Sequence, residues 1–264
     1  MSGFISIEHR GEARQIEIRR QNYGKPENPV LVFLHEGLGC IASWKELPGK
    51  ISRATGCNAL TYSRLGYGGS DPVTLPRKPN FMHVEALDIL PRVLAAAGIK
   101  EYILLGHSDG GSIGVIHAGS PKSKGLRGLV TLAAHLFCEP VTLAGIRNAK
   151  DLYLNKNLKS RLMRIHGENT DTAFWGWNDT WLSPGFAHWN IERYLKPIRV
   201  PVLAIQGDDD PYGTRAQLDA VKAGITSCTT HLIENCGHTP HMEQQESVLN
   251  LMIPFIRSCL HQLP

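Results

Sequence analysis

The run VLVFL, residues 30–34, most limits what this chain can become. It is apolar at every position and carries β-branched residues, so it suits a strand buried on both faces. Such a strand needs cover above and below, and the rest of the chain supplies it in alternation. NALTYS (58–63), EYILLG (101–106), LRGLVTLAA (126–134), PVLAIQG (201–207) and TTHLIEN (229–235) read as further strands. An early pair, Ile5–Ile7 with Gln15–Ile18, precedes the buried run. Helical patterns fall between strands. FMHVEALDILPRVLAAAG (81–98) places apolar residues at 84, 87, 90, 94 and 97, with Gly98 where a C-cap glycine belongs. Pro91 within it predicts a kink or a late start. Further helices are expected from about Gly110 to Ala118 and from about Gln245 onward. The alternation predicts an α/β fold, a mostly parallel twisted sheet with helices on both faces.

One segment breaks the rhythm. Between a strand ending near Ala134 and one starting near Val200, no strand–helix unit fits. Four of the five tryptophans, Trp175, Trp177, Trp181 and Trp189, lie there with Phe174, Phe186 and Tyr194. Ligands of open α/β sheets bind outside the carboxyl ends of the strands. An insertion after such a strand is expected to roof that crevice. The expected division is therefore a core of 1–135 and 198–264, with a small helical cap, 136–197, inserted after the sixth strand.

Composition serves to exclude. Hydrophobic residues at 42% and charged ones at 20% are ordinary for a globular domain. No apolar run nears the roughly 20 residues that span a bilayer. A formal charge of +4, with bases scattered among acids, gives no basic stripe interleaved with aromatics for nucleic acid. The opening MSGFISIEHRGEARQ lacks the apolar core of a signal peptide. Cysteines 40, 57, 138, 228, 236 and 259 form no CxxC pair, so reduced thiols in a cytoplasmic protein are expected, with no metal. The partner to look for is a small-molecule substrate, neither nucleic acid nor membrane; a homo-oligomer is left open.

The chemistry starts at Gly106-His107-Ser108-Asp109-Gly110. This is G-x-S-x-G between a predicted strand and a predicted helix, the setting of a nucleophile elbow. The small flanking residues let the chain turn tightly and present the Ser108 hydroxyl near a helix N-terminus, which favours developing negative charge. A neutral serine needs a base and a group that orients the base. ENCGHTPHMEQ supplies His238 just after the last predicted strand, and IQGDDDPYGT supplies acids after the strand before it. The order Ser, Asp, His fits this architecture.

Taken together, LHEGLG, YSRLGYGGSDP, GHSDGG, GDDDPYG and CGHTPHME, in that order over nearly the whole chain, resemble the α/β-hydrolase family. The match is to its serine-nucleophile branch with a helical cap. The resemblance implies a triad of Ser108, Asp210 and His238, since relatives use the aspartate three residues after the glycine. Asp208 and Asp209 then bond to the loop or face solvent, and Glu139, after the preceding strand, is a rival acid. His241 reads as a surface or packing residue and His35 as a brace of its loop. The oxyanion hole falls on the amides of Asp109 and Gly37, with Leu38 an alternative donor because Glu36 replaces a usual glycine. Glu36 is either a carboxylate turned toward the pocket or a residue bonding to the loop, and the residues leave both open. Glu36, Leu38, Trp177 and Trp181 are the candidate substrate-binding residues; the other aromatics fit a core for the cap itself. Arg147, Lys150, Lys156, Lys159, Arg161 and Arg164 read as a solvated helix face, with attraction of an anionic substrate the alternative. The resemblance implies a serine hydrolase of small ester-like substrates (carboxylic ester, lactone or thioester) needing no cofactor. The same machinery in relatives also cleaves carbon–carbon bonds of vinylogous diketones, and a few proteins of this fold are receptors without activity.

Overall fold

The structure, a computed structural model, describes residues 2–260. Met1 and residues 261–264, which fall in the core segments expected from sequence, lie outside the described residues. The strands are β1 (Ser2–His9), β2 (Glu12–Gln21), β3 (Val30–Leu34), β4 (Ala59–Tyr62), β5 (Tyr102–His107), β6 (Leu126–Leu132), β7 (Val202–Gly207) and β8 (Cys228–Ile233). The α-helices are α1 (Leu47–Thr55), α2 (Phe81–Val84), α3 (Leu90–Ala96), α4 (Asp109–Ala118), α5 (Pro140–Asn155), α6 (Leu158–His166), α7 (Thr170–Trp181), α8 (Ala216–Gly224), α9 (Pro240–Glu243) and α10 (Gln245–Leu260).

All eight strands share one sheet in the order β1-β2-β4-β3-β5-β6-β7-β8. β2 pairs antiparallel with β1 and β4, and every pairing from β4 to β8 is parallel. The two-residue period of a strand explains why VLVFL is apolar throughout. Leu31 and Phe33 join Ile103, Leu105, Val130 and Ile205 in a layer closed by Ile51 of α1 and Val248, Met252 and Ile256 of α10. Val32 and Leu34 join Leu104, Leu129 and Val202 in the opposite layer, with Ile113 and Ile116 of α4. Each such side chain, removed fully from water, contributes about 1.5–3 kcal/mol.

Pro91 shows its effect upstream. Between α2 and α3 the chain forms a π-helical turn, Glu85–Ile89, and Pro91 falls in the first turn of α3. A proline there has no N–H to give to the preceding turn, and the wider turn takes up the mismatch. The helix therefore continues in a changed winding, where the sequence predicted a kink or late start.

Between β6 and β7 the chain forms α5, α6 and α7, followed by the single 3₁₀ turns Pro184–Phe186 and Glu192–Tyr194. Aromatic stacking holds this segment together: Tyr153 on Phe174 at 3.6 Å and Phe186 on Trp189 at 5.1 Å between ring centroids. Trp177 and Trp181 instead reach the cleft beside the carboxyl ends of the strands.

Candidate active site

Ser108 sits between β5 and α4 with φ 51° and ψ −120°, a left-handed backbone that a residue other than glycine enters only under constraint. The constraint is contact with neighbouring strands. Its amide donates to Leu132 O at 2.8 Å, and a Cβ on Gly110 would lie 1.9 Å from Leu34 O. Only glycine there lets α4 approach β3 and leaves the serine side chain over the strand end.

Three strand ends then converge. His238, after β8, brings Nε2 to 2.9 Å from Ser108 Oγ. Its Nδ1 lies 2.9 Å from both carboxylate oxygens of Asp210, which follows β7. Asp210 also accepts the Tyr212 amide at 2.8 Å. Burial opposes its ionisation, but the hydrogen bond and charge of His238 and the Tyr212 amide outweigh it, holding the carboxyl below its usual range. The other acids stand apart. Asp208 accepts from the Cys236 amide and Asp209 is exposed. Glu139 bonds Thr214 and Gln217, not His238.

The loop after β3 forms the opposite wall. Among the described residues, the amides of Gly37, Leu38 and Asp109 donate to no protein acceptor. His35 donates from Nδ1 to Glu36 O and accepts the Arg64 amide at Nε2, which fixes one neutral tautomer. Arg64, 1% exposed, gives its guanidinium to the carbonyls of His35 and Glu36. The Trp177 indole closes onto this loop, so a Cβ on Gly37 would lie 2.2 Å from its Nε1. The resulting cleft holds about 470 Å³, and its lining includes Glu36, Gly37, Leu38, Asp109, Trp177 and Trp181. From α5 and α6 come Thr142, Ile146, Leu158 and Arg161, so one of the bases read as a solvated face also borders the cleft.

Several residues of the site carry no sequence signature. Arg64 stands within YSRLGYGGSDP, but its burial under the β3 loop depends on tertiary contact. His135 stacks on His238 at 5.7 Å and meets Trp181 edge-to-face at 5.3 Å. Burial, with the charge of His238 beside it, pushes His135 down to about 3. His241 is 3% exposed and packs on Trp44 and His107; burial pushes it down to about 3 as well. It is thus an interior packing residue. Asp109 accepts from Trp181 Nε1 at 3.2 Å, and burial pushes its carboxyl up to about 6 against the pull of Arg64. Glu243, six residues past Gly237, could have been noticed: it accepts the Gly237 and Thr239 amides on either side of His238. Among the described residues, no group of three or more His, Cys, Asp or Glu is arranged to hold a metal ion.

Comparison with known proteins agrees with the fold. The chain is 25% identical over 273 residues to a proline iminopeptidase of Lactobacillus helveticus, covering 86% of this chain and 90% of that one. It is 24% identical over 263 residues to 2-succinyl-6-hydroxy-2,4-cyclohexadiene-1-carboxylate synthase of Klebsiella pneumoniae, covering 89% and 96%. The solved esterase EaEST of Exiguobacterium antarcticum superposes with a TM-score of 0.76 at 16% identity, over 97% of this chain and 100% of that one. The model of the alpha/beta hydrolase family matches residues 31–251. A match running from the first buried strand into the last helix, on a sheet of this order, makes the chain a member of the alpha/beta hydrolase family.

Proposed function

We propose that this protein is a serine hydrolase that cleaves a small ester-like substrate through an acyl-enzyme on Ser108. The observation that carries the reading is the unbroken line Asp210–His238–Ser108, with both links at 2.9 Å, opposite free amides of Gly37 and Asp109. Ser108 Oγ attacks the substrate carbonyl while His238 Nε2 takes its proton. Asp210 keeps the other ring proton on Nδ1 and stabilises the imidazolium. The Gly37 and Asp109 amides receive the negative charge on the carbonyl oxygen. His238 then protonates the leaving group, and in the second half-reaction it activates the water that releases the acid. Residues 136–197 act as the cap that selects the acyl group, through Ile146, Leu158, Trp177 and Trp181.

The relatives' names include a peptidase, a synthase and an esterase, so the leaving group is to be found by experiment. The direct test is intact mass after incubation with a fluorophosphonate, on the wild type and on Ser108→Ala. One adduct on the wild type and none on the variant is the expected result. An unlabelled, folded wild type that also stays silent toward a smaller acylating probe would overturn the reading.

A further inference from the structure

Beside the serine and its base stand a second imidazole and a second carboxyl. His107 ends β5, fully buried, with Nε2 2.7 Å from the carbonyl oxygen of His238. A carbonyl only accepts, so Nε2 carries the hydrogen and Nδ1 is left to face the other way. It faces Glu36, whose Oε2 is 3.5 Å away, and it has no hydrogen-bond partner. An imidazole lone pair and a carboxylate oxygen are both acceptors. Nδ1 is buried, and it does not face a second acceptor without cost unless a proton lies between them.

The position raises the stakes. Glu36 directly precedes Gly37, whose amide is free for an oxyanion, and its side chain borders the cleft. An unneutralised carboxylate there opposes the charge that develops on the substrate. Among the described residues, no other side chain pairs with this carboxylate. On the Glu36 side, His35 is held as a neutral tautomer, and Arg64, a permanent cation, directs its guanidinium to main-chain carbonyls and not to the carboxylate. Burial raises the Cys40 thiol to about 12 and lowers His166, while Asp109 is itself an acid. On the His107 side, burial keeps His135 and His241 neutral, and His238 is the working base. His107, whose Nδ1 faces Oε2, is the side chain placed to share a proton with it.

We propose that Glu36 and His107 are a positioning pair holding one proton between them. The pair braces the His238 loop through Nε2 and keeps the oxyanion side of the cleft free of net negative charge. This rests on the serine-hydrolase reading, and its consequence has a sign. His107→Gln keeps a donor for the His238 carbonyl but strands the Glu36 carboxylate. Turnover of p-nitrophenyl acetate should fall on the order of 10²-fold, the size of losing one oxyanion donor. Removing the charge as well, in Glu36→Gln/His107→Gln, should restore at least tenfold of that loss. A double variant as slow as His107→Gln, or slower, would overturn the proposal, since a purely structural role predicts no rescue.

The ring nitrogens of His107 give a readout that needs no turnover. In ¹⁵N-histidine spectra of the wild type, Nδ1 should appear protonated and should return to a lone-pair nitrogen in Glu36→Gln. A lone-pair Nδ1 in both proteins would sink the shared proton even if Ser108 is labelled as expected. An unlabelled Ser108 with a protonated Nδ1 would instead fault the hydrolase reading and leave the pair standing.

Discussion

Asp109 carries two properties that pull in opposite directions. Its amide is a candidate oxyanion donor, while its carboxyl is 1% exposed, with one oxygen on Trp181 and the other unpartnered. Burial makes the charged form costly, and Arg64 recovers only part of that cost, so the acid titrates at about 6 instead of 3.8. The direction of the stability effect follows. Below pH 3.8 the folded and unfolded chains are both protonated, and the group contributes nothing. Between 3.8 and about 6 the unfolded chain ionises first, so the penalty on the folded state grows, and above about 6 it is constant. Asp109→Asn should therefore gain stability over the wild type by roughly 2 kcal/mol between pH 4 and pH 7. Denaturant titration at both pH values checks this. An unchanging difference would mean that Asp109 ionises in the folded chain as it does in water. At this scale, a short motif marks Ser108, directly after β5, and His238, five residues past the end of β8. Arg64 and His107 were not legible as partners, since their roles depend on contacts with chain far away in sequence.

Elements differ in how plainly they were written. The central strands were legible because burial on both faces demands an unbroken apolar run, and β3 spans the same residues, 30–34, as the run itself. The π-helical turn before Pro91 was not legible, because a proline signals a lost hydrogen bond without saying how the helix absorbs it. Individual helices α5 to α7 were not legible either. Their boundaries depend on rings that meet only in the folded segment, such as Tyr153 on Phe174. The turn from β8 into α9 shows how an element positions one atom. Glu243 in α9 accepts the Gly237 amide at 2.6 Å and the Thr239 amide at 2.9 Å, pinning the backbone on both sides of His238. Glu243→Ala frees that backbone, and with it the position of His238, while Ser108, Asp210 and His238 themselves are unchanged. Misplacing a reacting group by an ångström costs up to about 10²-fold. The variant's kcat should fall by about tenfold or more, with Glu243→Gln recovering part of it. A kcat unchanged beside wild-type ester hydrolysis would show that His238 is held by Asp210 alone.

Across the whole molecule, the proposed function divides labour between two parts of the chain that both border one cleft. The sheet and the helices covering its two faces fix Ser108, Asp210 and His238 through strand register, which tolerates no slip without losing the core. The segment between β6 and β7 touches the same cleft through Ile146, Leu158, Trp177 and Trp181, and can change shape without altering that register. Leu158 is the side chain on which to test this division, because it borders the cleft and is only half-buried. A larger residue there costs the core little, whereas Ile146 at 1% exposure would be overpacked. Leu158→Trp should shorten the acyl chain that the cleft accepts. Its kcat/KM for p-nitrophenyl octanoate should fall at least tenfold further than for the acetate, with fluorophosphonate labelling of Ser108 retained. Each lost methylene contact is worth about 0.8 kcal/mol, so excluding two or three suffices for that ratio. Equal losses on both esters would mean that the acyl chain runs elsewhere, and the assignment of 136–197 as the selecting cap would fall with it.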